Sequence, residues 1–491
     1  MGPTMTRIAV IGAGIAGLVS AKVLRQDGFD VTVFDKEPTI GGVWAPSRAY
    51  PGLRTNNPRE TYGFSDFPWP EHSDEFPTAG QVHDYLESYA ERFGLRPCLR
   101  LATEAVSVSP WSRGHPRSGF RVTTRPTAED LGTDIHHFDR VVVCNGVFSE
   151  PRVPLFPRHA EFTGAVRHSS EIACLEASTG KRVIVVGGGK SALDCATAAS
   201  RFAASTDLIF RAAHWMLPRY FGTVRVDRVL QTRLSELLLP AHHSAGRFEL
   251  LLRAVGAPLL SAMWRARSRR VARLNGIPAT MVPDRPLPEG IESVGIGGEF
   301  YDALREGRVT ARRASIASFT GARSIRLDTG EEIAADLVVC ATGWRRNVSF
   351  LDPELSREVH KDGSFRLYRH ILPPGNPHLG FVGYASSTAC PLLSEISAHW
   401  LSQCFRGELA LPDESEMERE IARVIRWARR TFPACAEGHF IGAYVAHYAD
   451  ALMRDMGLPR RRTGSVLSEY SAPIWSERYR QLAEERRRAR P

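Results

Sequence analysis

Arg7-Ile8-Ala9-Val10-Ile11-Gly12-Ala13-Gly14-Ile15-Ala16-Gly17 decides the fold. A short apolar run enters a glycine turn, and helix-forming residues follow to about Asp27, which is how a βαβ unit opens. Gly12, Gly14 and Gly17 allow the tight turn, the close approach of a pyrophosphate and the helix–sheet contact. They also aim the amides of a helix N-terminus at the phosphates. The second strand, Val31-Thr32-Val33-Phe34, ends in Asp35, about 20 residues past Gly14, where a carboxylate accepts both ribose hydroxyls.

A second segment repeats the pattern: Arg182-Val183-Ile184-Val185-Val186-Gly187-Gly188-Gly189-Lys190-Ser191-Ala192, with a helix to about Phe202. Gly187-x-Gly189-x-x-Ala192 leaves more room at the helix start, a variant common where NADP binds. The Ser191 hydroxyl can reach a phosphate, and Asp194 follows one turn along. After the strand predicted over Asp207–Phe210, the place of the ribose-binding acid is held by Arg211. An arginine there matches the charge of a 2′-phosphate, with His214 and Arg219 as further candidates, so NADPH is favoured over NADH. Two more apolar runs, Asp139–Cys144 and Asp336–Cys340, each leave through a glycine and read as buried parallel strands near crossings between domains.

With 491 residues, 43% of them hydrophobic, the chain buries a large core, and 24% charged residues exclude global disorder. The net charge of +9 comes from 63 basic against 54 acidic residues, only five of the former being lysine. Arginines concentrate in Arg265–Arg273 and Arg486–Arg490 without interleaved aromatics, so both read as solvated faces and no nucleic-acid partner is expected. None of the eight cysteines forms a CxxC pair; they read as buried free thiols in a reducing compartment, and no metal is expected. The most apolar stretch, Leu250–Trp264, is broken by Arg253, Gly256 and Pro258, so no transmembrane segment is predicted. A strand close behind the N-terminus leaves no room for a signal peptide, and Pro3 speaks against myristoylation at Gly2; a cytoplasmic location is expected. Leu250, Leu251, Leu252, Val255, Leu259, Leu260 and Met263 have helical spacing, marking an insertion over about 226–277 that covers a cleft or makes a dimer contact, with a membrane surface as the alternative.

Lys36-Glu37-Pro38-Thr39-Ile40-Gly41-Gly42-Val43-Trp44 resembles the GGxW continuation of flavoproteins, in which the glycines run under the FAD pyrophosphate and the tryptophan walls the flavin. Together with the two turns, it makes the chain similar to class B flavin monooxygenases from about Arg7 to Trp400. That group comprises flavin-containing and Baeyer–Villiger monooxygenases. Phe162-x-Gly164-x-x-x-His168 matches the group's fingerprint, although Ile172 replaces its final aromatic, and Ala341-Thr342-Gly343 matches its linker. The resemblance implies an α/β fold of two Rossmann-like domains with a helical insertion. The FAD domain would span 1–168 and 330–491, and the NADP domain 169–329. It implies FAD contacts from Gly12, Gly14, Gly17, Asp35, Lys36, Gly42, Trp44, Thr55, Thr342 and Gly343, and NADP contacts from Gly187, Gly189, Ser191 and Arg211.

The branch is read residue by residue. Tyr50-Pro51-Gly52 follows Trp44 one residue later than in the Baeyer–Villiger pattern, and Asn56 stands where that pattern has aspartate. Asn56 with Arg59-Glu60, Phe64–Pro68 and Phe76-Pro77 looks like the flavin-containing branch, and Trp344-Arg345 lacks the acid that Baeyer–Villiger enzymes usually carry. The resemblance then implies that NADPH reduces FAD and that O2 forms a C4a-(hydro)peroxyflavin. One oxygen atom passes to a small-molecule substrate, by N- or S-oxygenation. Asn56 would position nicotinamide and oxygen, since an amide donates and accepts without charge; its alternative is a turn residue in Thr55-Asn56-Asn57-Pro58. A homodimer is also implied. Baeyer–Villiger oxidation of ketones and an uncoupled NADPH oxidase remain the alternatives. A disulfide oxidoreductase lacks its CxxC, and a nucleotide-sensing scaffold would not keep Gly42, Trp44 and Asn56.

Overall fold

Arg7–Ile11 lies at the centre of a five-stranded sheet in the order Leu379–Phe381, Arg140–Val143, Arg7–Ile11, Asp30–Phe34, Leu99–Arg100. Every pairing in it is parallel. The computed structural model describes residues 5–111, 119–128, 132–172, 178–291, 294–435, 437 and 439–489; Met1–Thr4, Cys174 and Arg490 lie outside them. Ile8, Ala9, Val10 and Val141–Val143 are fully buried because both faces of the sheet are covered, which is why these strands read as unbroken apolar runs. The helix Ile15–Gln26 packs on the sheet and against Cys390–Phe405, a helix buried from Pro391 to Phe405.

The second sheet runs Thr310–Arg313, Ser205–Phe210, Arg182–Val186, Leu337–Cys340, Ala165–His168, again with every pairing parallel. This corrects the expected boundaries at 168/169 and 329/330. Ala165–His168 and Leu337–Cys340 pair side by side in the second sheet, so both belong to the second domain. An apolar run reports burial but not which sheet takes it up. The two crossings between the domains, Glu150–Pro151 and Trp344–Arg345, form an antiparallel ribbon.

The insertion consists of Asp227–Leu230, Arg233–Leu238 and the 28-residue helix Arg247–Leu274. That helix has two halves with different surroundings. Leu251, Val255 and Leu259 are exposed, whereas Trp264, Ser268 and Val271 are buried against the second domain. Arg265, Arg269, Arg270 and Arg273 are solvated as expected, but Arg267 is half-buried. In the tail, Arg486 also departs from expectation. It is buried, donating to Asp27 at 2.6 Å and to His399, and so ties the C-terminal helix to the end of Ile15–Gln26. Cys98, Cys144, Cys195, Cys340 and Cys404 are buried free thiols, while Cys390 and Cys435 are half-buried. Among the described residues no helix is long and apolar enough to cross a membrane.

Candidate active site

The first glycine turn is packed to the limit of backbone contact. A Cβ on Gly17 would lie 1.8 Å from the Gly12 carbonyl oxygen, and one on Gly12, at φ +111°, would lie 2.5 Å from that of Cys144. Gly14 caps Ile15–Gln26 without a side-chain hydrogen bond, leaving the first-turn amides for an anion. A Cβ on Gly42 would lie 3.2 Å from the Gly14 Cα, so the Gly41-Gly42 segment rests directly on the turn. Asp35 accepts from the Ala13 amide at 2.6 Å and the Glu37 amide at 2.9 Å; burial nonetheless raises its pKa. Trp44 is buried, donates from Nε1 to the Tyr62 hydroxyl at 3.0 Å and meets that ring edge-on.

The second turn is equally tight at its first two glycines, a Cβ on Gly188 lying 2.2 Å from the Ala212 carbonyl oxygen, and open at its third. A Cβ on Gly187, at φ +144°, would lie 2.4 Å from the Ala341 carbonyl oxygen, but one on Gly189 meets nothing within 4 Å. Gly189 caps Lys190–Ala199, again with no side-chain hydrogen bond. Lys190 pairs with Asp194, one helical turn on, and Asp194 accepts from the Tyr50 hydroxyl at 3.1 Å. This pair joins the second turn to the Trp44–Asn56 segment of the first domain. Burial raises the Asp194 pKa against the opposing charge of Lys190.

A single cavity of about 910 Å³ connects the two turns. Gly12, Gly14, Asp35, Lys36, Gly42, Trp44, Thr55, Asn56, Gly189, Ser191 and Gly343 all line it. Asn56 Oδ1 accepts from the Ile296 amide of the second domain at 3.4 Å. The turn itself is held by its neighbours, since Thr55 Oγ1 donates to the Asn57 carbonyl at 2.7 Å and Asn57 Nδ2 to Thr61 Oγ1 at 3.3 Å. The Thr55 hydroxyl is thus committed to backbone, while the Asn56 amide bridges the domains.

Gly17, Gly187, Arg211 and Thr342 are not among the cavity-lining residues. Gly17 and Gly187 act through backbone packing. Thr342 donates to the Arg152 carbonyl and Gly343 O accepts from the Arg152 amide, which fastens the interdomain ribbon. His168, fully buried, reinforces the same point: Nδ1 accepts from the Ser170 amide at 3.2 Å, so Nε2 carries the proton shared with the Gly343 carbonyl at 3.1 Å. Arg211 is exposed at the end of Ser205–Phe210. Arg219, the other arginine expected there, pairs with Glu299 at 2.6 Å.

The sequence reading missed Lys190, Tyr50, Arg48 and Arg267. The spacing of Lys190 and Asp194 carries a signal, because residues four apart on a helix meet. Arg48 sits beside Asp35 and Glu37, with its guanidinium 4.9 Å from the Trp344 ring centre. Nothing local points to Tyr50, whose partner Asp194 comes from a distant segment, or sets Arg267 apart from the other arginines of its helix.

The residues present fit two dinucleotides: two uncapped helix N-termini, two glycine cradles and a carboxylate at the first ribose position, all served by one cavity. A sequence model of the flavin-binding monooxygenase-like family matches residues 5–249 and 295–459. A probable flavin-containing monooxygenase 1 of Arabidopsis thaliana is 29% identical, covering 98% of each chain. Flavin-containing monooxygenase 5 of Homo sapiens is 28% identical over 86% of this chain and 77% of its own. Among solved structures, S-allyl-L-cysteine S-oxygenase from Allium sativum superposes with a TM-score of 0.62 at 23% identity, over 100% of this chain and 99% of its own. A cyclohexanone monooxygenase from Rhodococcus sp. Phi1 gives 0.67 at 21%, over 88% and 92%. The chain belongs to the flavin-binding monooxygenase-like family and is a flavin-dependent monooxygenase that uses FAD, NADPH and O2.

Proposed function

We propose that the chain transfers one oxygen atom of O2 to a nucleophilic nitrogen or sulfur of a small apolar molecule. The observation that carries this reading is Asn56: it lines the cavity between the two dinucleotide turns, anchored by Oδ1 to Ile296. Its Nδ2 donors have no partner among the described residues, so they remain for the nicotinamide carboxamide or the oxygen being transferred. A neutral amide holds these groups in register without adding charge. FAD, reduced by NADPH, supplies the activation of O2. The chain's own part is to bind both dinucleotides through Gly14, Asp35, Gly42, Gly189 and Ser191, and to exclude water with the helix Arg247–Leu274. Trp44 walls the flavin side. Arg211 is assigned to the 2′-phosphate, on the strength of its place at the end of Ser205–Phe210. A homodimer and a reducing cellular compartment belong to the same reading, the latter supported by the free thiols.

The test is turnover under 18O2 with a thioether, a tertiary amine and a cyclic ketone. The expected outcome is a labelled sulfoxide or N-oxide formed in step with NADPH use. Labelled lactone with neither of these would instead assign Baeyer–Villiger chemistry, and hydrogen peroxide alone would assign an oxidase.

A further inference from the structure

The part of the cavity wall contributed by residues 217–296 is apolar, built from Leu217, Leu239, Trp264, Val271 and Leu287 among others. Four polar side chains interrupt it: Asp227, Gln231, Ser235 and Arg267. Asp227 is matched by Arg225, which donates from two nitrogens at 2.7 and 2.9 Å. The Ser235 hydroxyl donates to the Thr232 carbonyl at 2.8 Å. The other two differ. Gln231 Oε1 is buried with no partner. Arg267 makes no hydrogen bond or ion pair with the described residues, and its guanidinium stands 5.3 Å from the centre of the Trp264 ring.

Every other half-buried cation lining the cavity has a carboxylate nearby: Arg48 has Asp35 and Glu37, Lys190 has Asp194, and Arg54 pairs with Asp74 at 2.7 Å. Burial lowers the Arg267 pKa and no carboxylate offsets it. An arginine cannot shed its proton to escape an apolar wall, so an anion there would offset its partial burial. Packing on Trp264 holds the guanidinium plane, which favours a forked, two-bond partner. Trp264, Arg267 and Val271 follow each other at three and four residues, placing them on one helical face, turned to the cavity, while Arg265, Arg269, Arg270 and Arg273 face solvent. Trp264, Arg267, Val271 and Leu287 lie between the two stretches matched by the family model, residues 5–249 and 295–459.

We propose that Arg267 is a specificity-determining residue that pairs with a carboxylate on the substrate, so that the enzyme oxygenates apolar small molecules carrying an acidic group. This rests on the heteroatom oxygenation proposed above. Octanoate offers no heteroatom to oxygenate and probes the pocket alone. Calorimetric titration of the protein loaded with FAD and NADP⁺ is expected to show octanoate binding, weakened about tenfold or more in Arg267→Leu and partly recovered in Arg267→Lys. In turnover, 6-(methylthio)hexanoate should exceed its methyl ester in kcat/KM by a similar factor, and Arg267→Leu should erase that preference with the KM for NADPH unchanged. FAD content checks that each variant is folded. Octanoate binding untouched by Arg267→Leu, or equal losses for acid and ester, would overturn the proposal, as would a raised KM for NADPH, which would assign Arg267 to the dinucleotide. Thioether oxidation without any preference for the acid defeats the arginine assignment alone. Octanoate binding with ketone oxidation defeats the reaction class alone.

Discussion

The two glycine turns share a sequence pattern but differ in packing. Added methyl groups would run into backbone at Gly12 and Gly17 of the first turn and at Gly187 and Gly188 of the second. The turns part at the last position, Gly17 against Ala192, and at the middle glycine of the motif, where a Cβ on Gly14 meets Gly42 at 3.5 Å and one on Gly189 meets nothing. The first turn is therefore part of the core, clamped between the Gly41-Gly42 segment and the Arg140–Val143 strand. The second lies open to the shared cavity. That difference fits the proposed assignment of FAD to the first turn and NADPH to the second.

The largest expected effect follows from this contrast. Gly17→Ala places a Cβ 1.8 Å from the Gly12 carbonyl oxygen, and should abolish FAD retention and lower thermal stability severely. Gly189→Ala should keep wild-type FAD content and Tm while raising the KM for NADPH only a few-fold. Flavin absorbance and thermal melts of the two variants measure this directly, and equal behaviour would break the comparison.

Next in size is the residue that spans the two sites. Asn56→Ala should leave FAD bound, since the turn is held by Thr55 and Asn57, but most NADPH electrons should appear as hydrogen peroxide. Asn56→Asp, nearly isosteric, replaces the donor with a charge and should uncouple at least as strongly. Oxygenation still coupled to NADPH use in both variants would reduce Asn56 to an interdomain tie.

Arg211→Ala should raise the KM for NADPH by about tenfold, from loss of a charge-assisted contact worth roughly 1.5–3 kcal/mol. The KM for NADH should not move. A shared rise would mean that the exposed Arg211 does not meet the 2′-phosphate.

The smallest effect concerns the outer support of the cavity wall. Buried Glu236 of the insertion accepts from His447 Nδ1 at 2.6 Å. Burial pulls the His447 pKa down, but the hydrogen bond and charge of Glu236 outweigh it, and the net shift is upward. The pair thus stabilises the fold fully below the unfolded histidine pKa of about 6.5, and the contribution is lost as pH rises through the higher folded value. Chemical denaturation should show roughly 1 kcal/mol fading over that window in the wild type. His447→Gln, which cannot ionise, should lack that component.

Both dinucleotide turns, the Asp35 carboxylate, the GGxW segment and the candidate Asn56 were legible from the amino-acid order. Their requirements are local: a positive φ at Gly12, a close approach at Gly42, and a strand length that fixes where Asp35 falls. Sheet membership was not legible. Leu337–Cys340 and Arg140–Val143 are near-identical apolar runs, and only pairing with Arg182–Val186 or Arg7–Ile11 assigns them to different domains. The same holds for arginine. By composition Arg267, Arg219 and Arg486 are three more cations on a basic chain. Tertiary structure turns Arg267 towards the cavity, commits Arg219 to Glu299 and buries Arg486 against Asp27. A long side chain takes its role from whichever distant segment supplies or withholds the opposite charge, and that is decided only when the chain has folded.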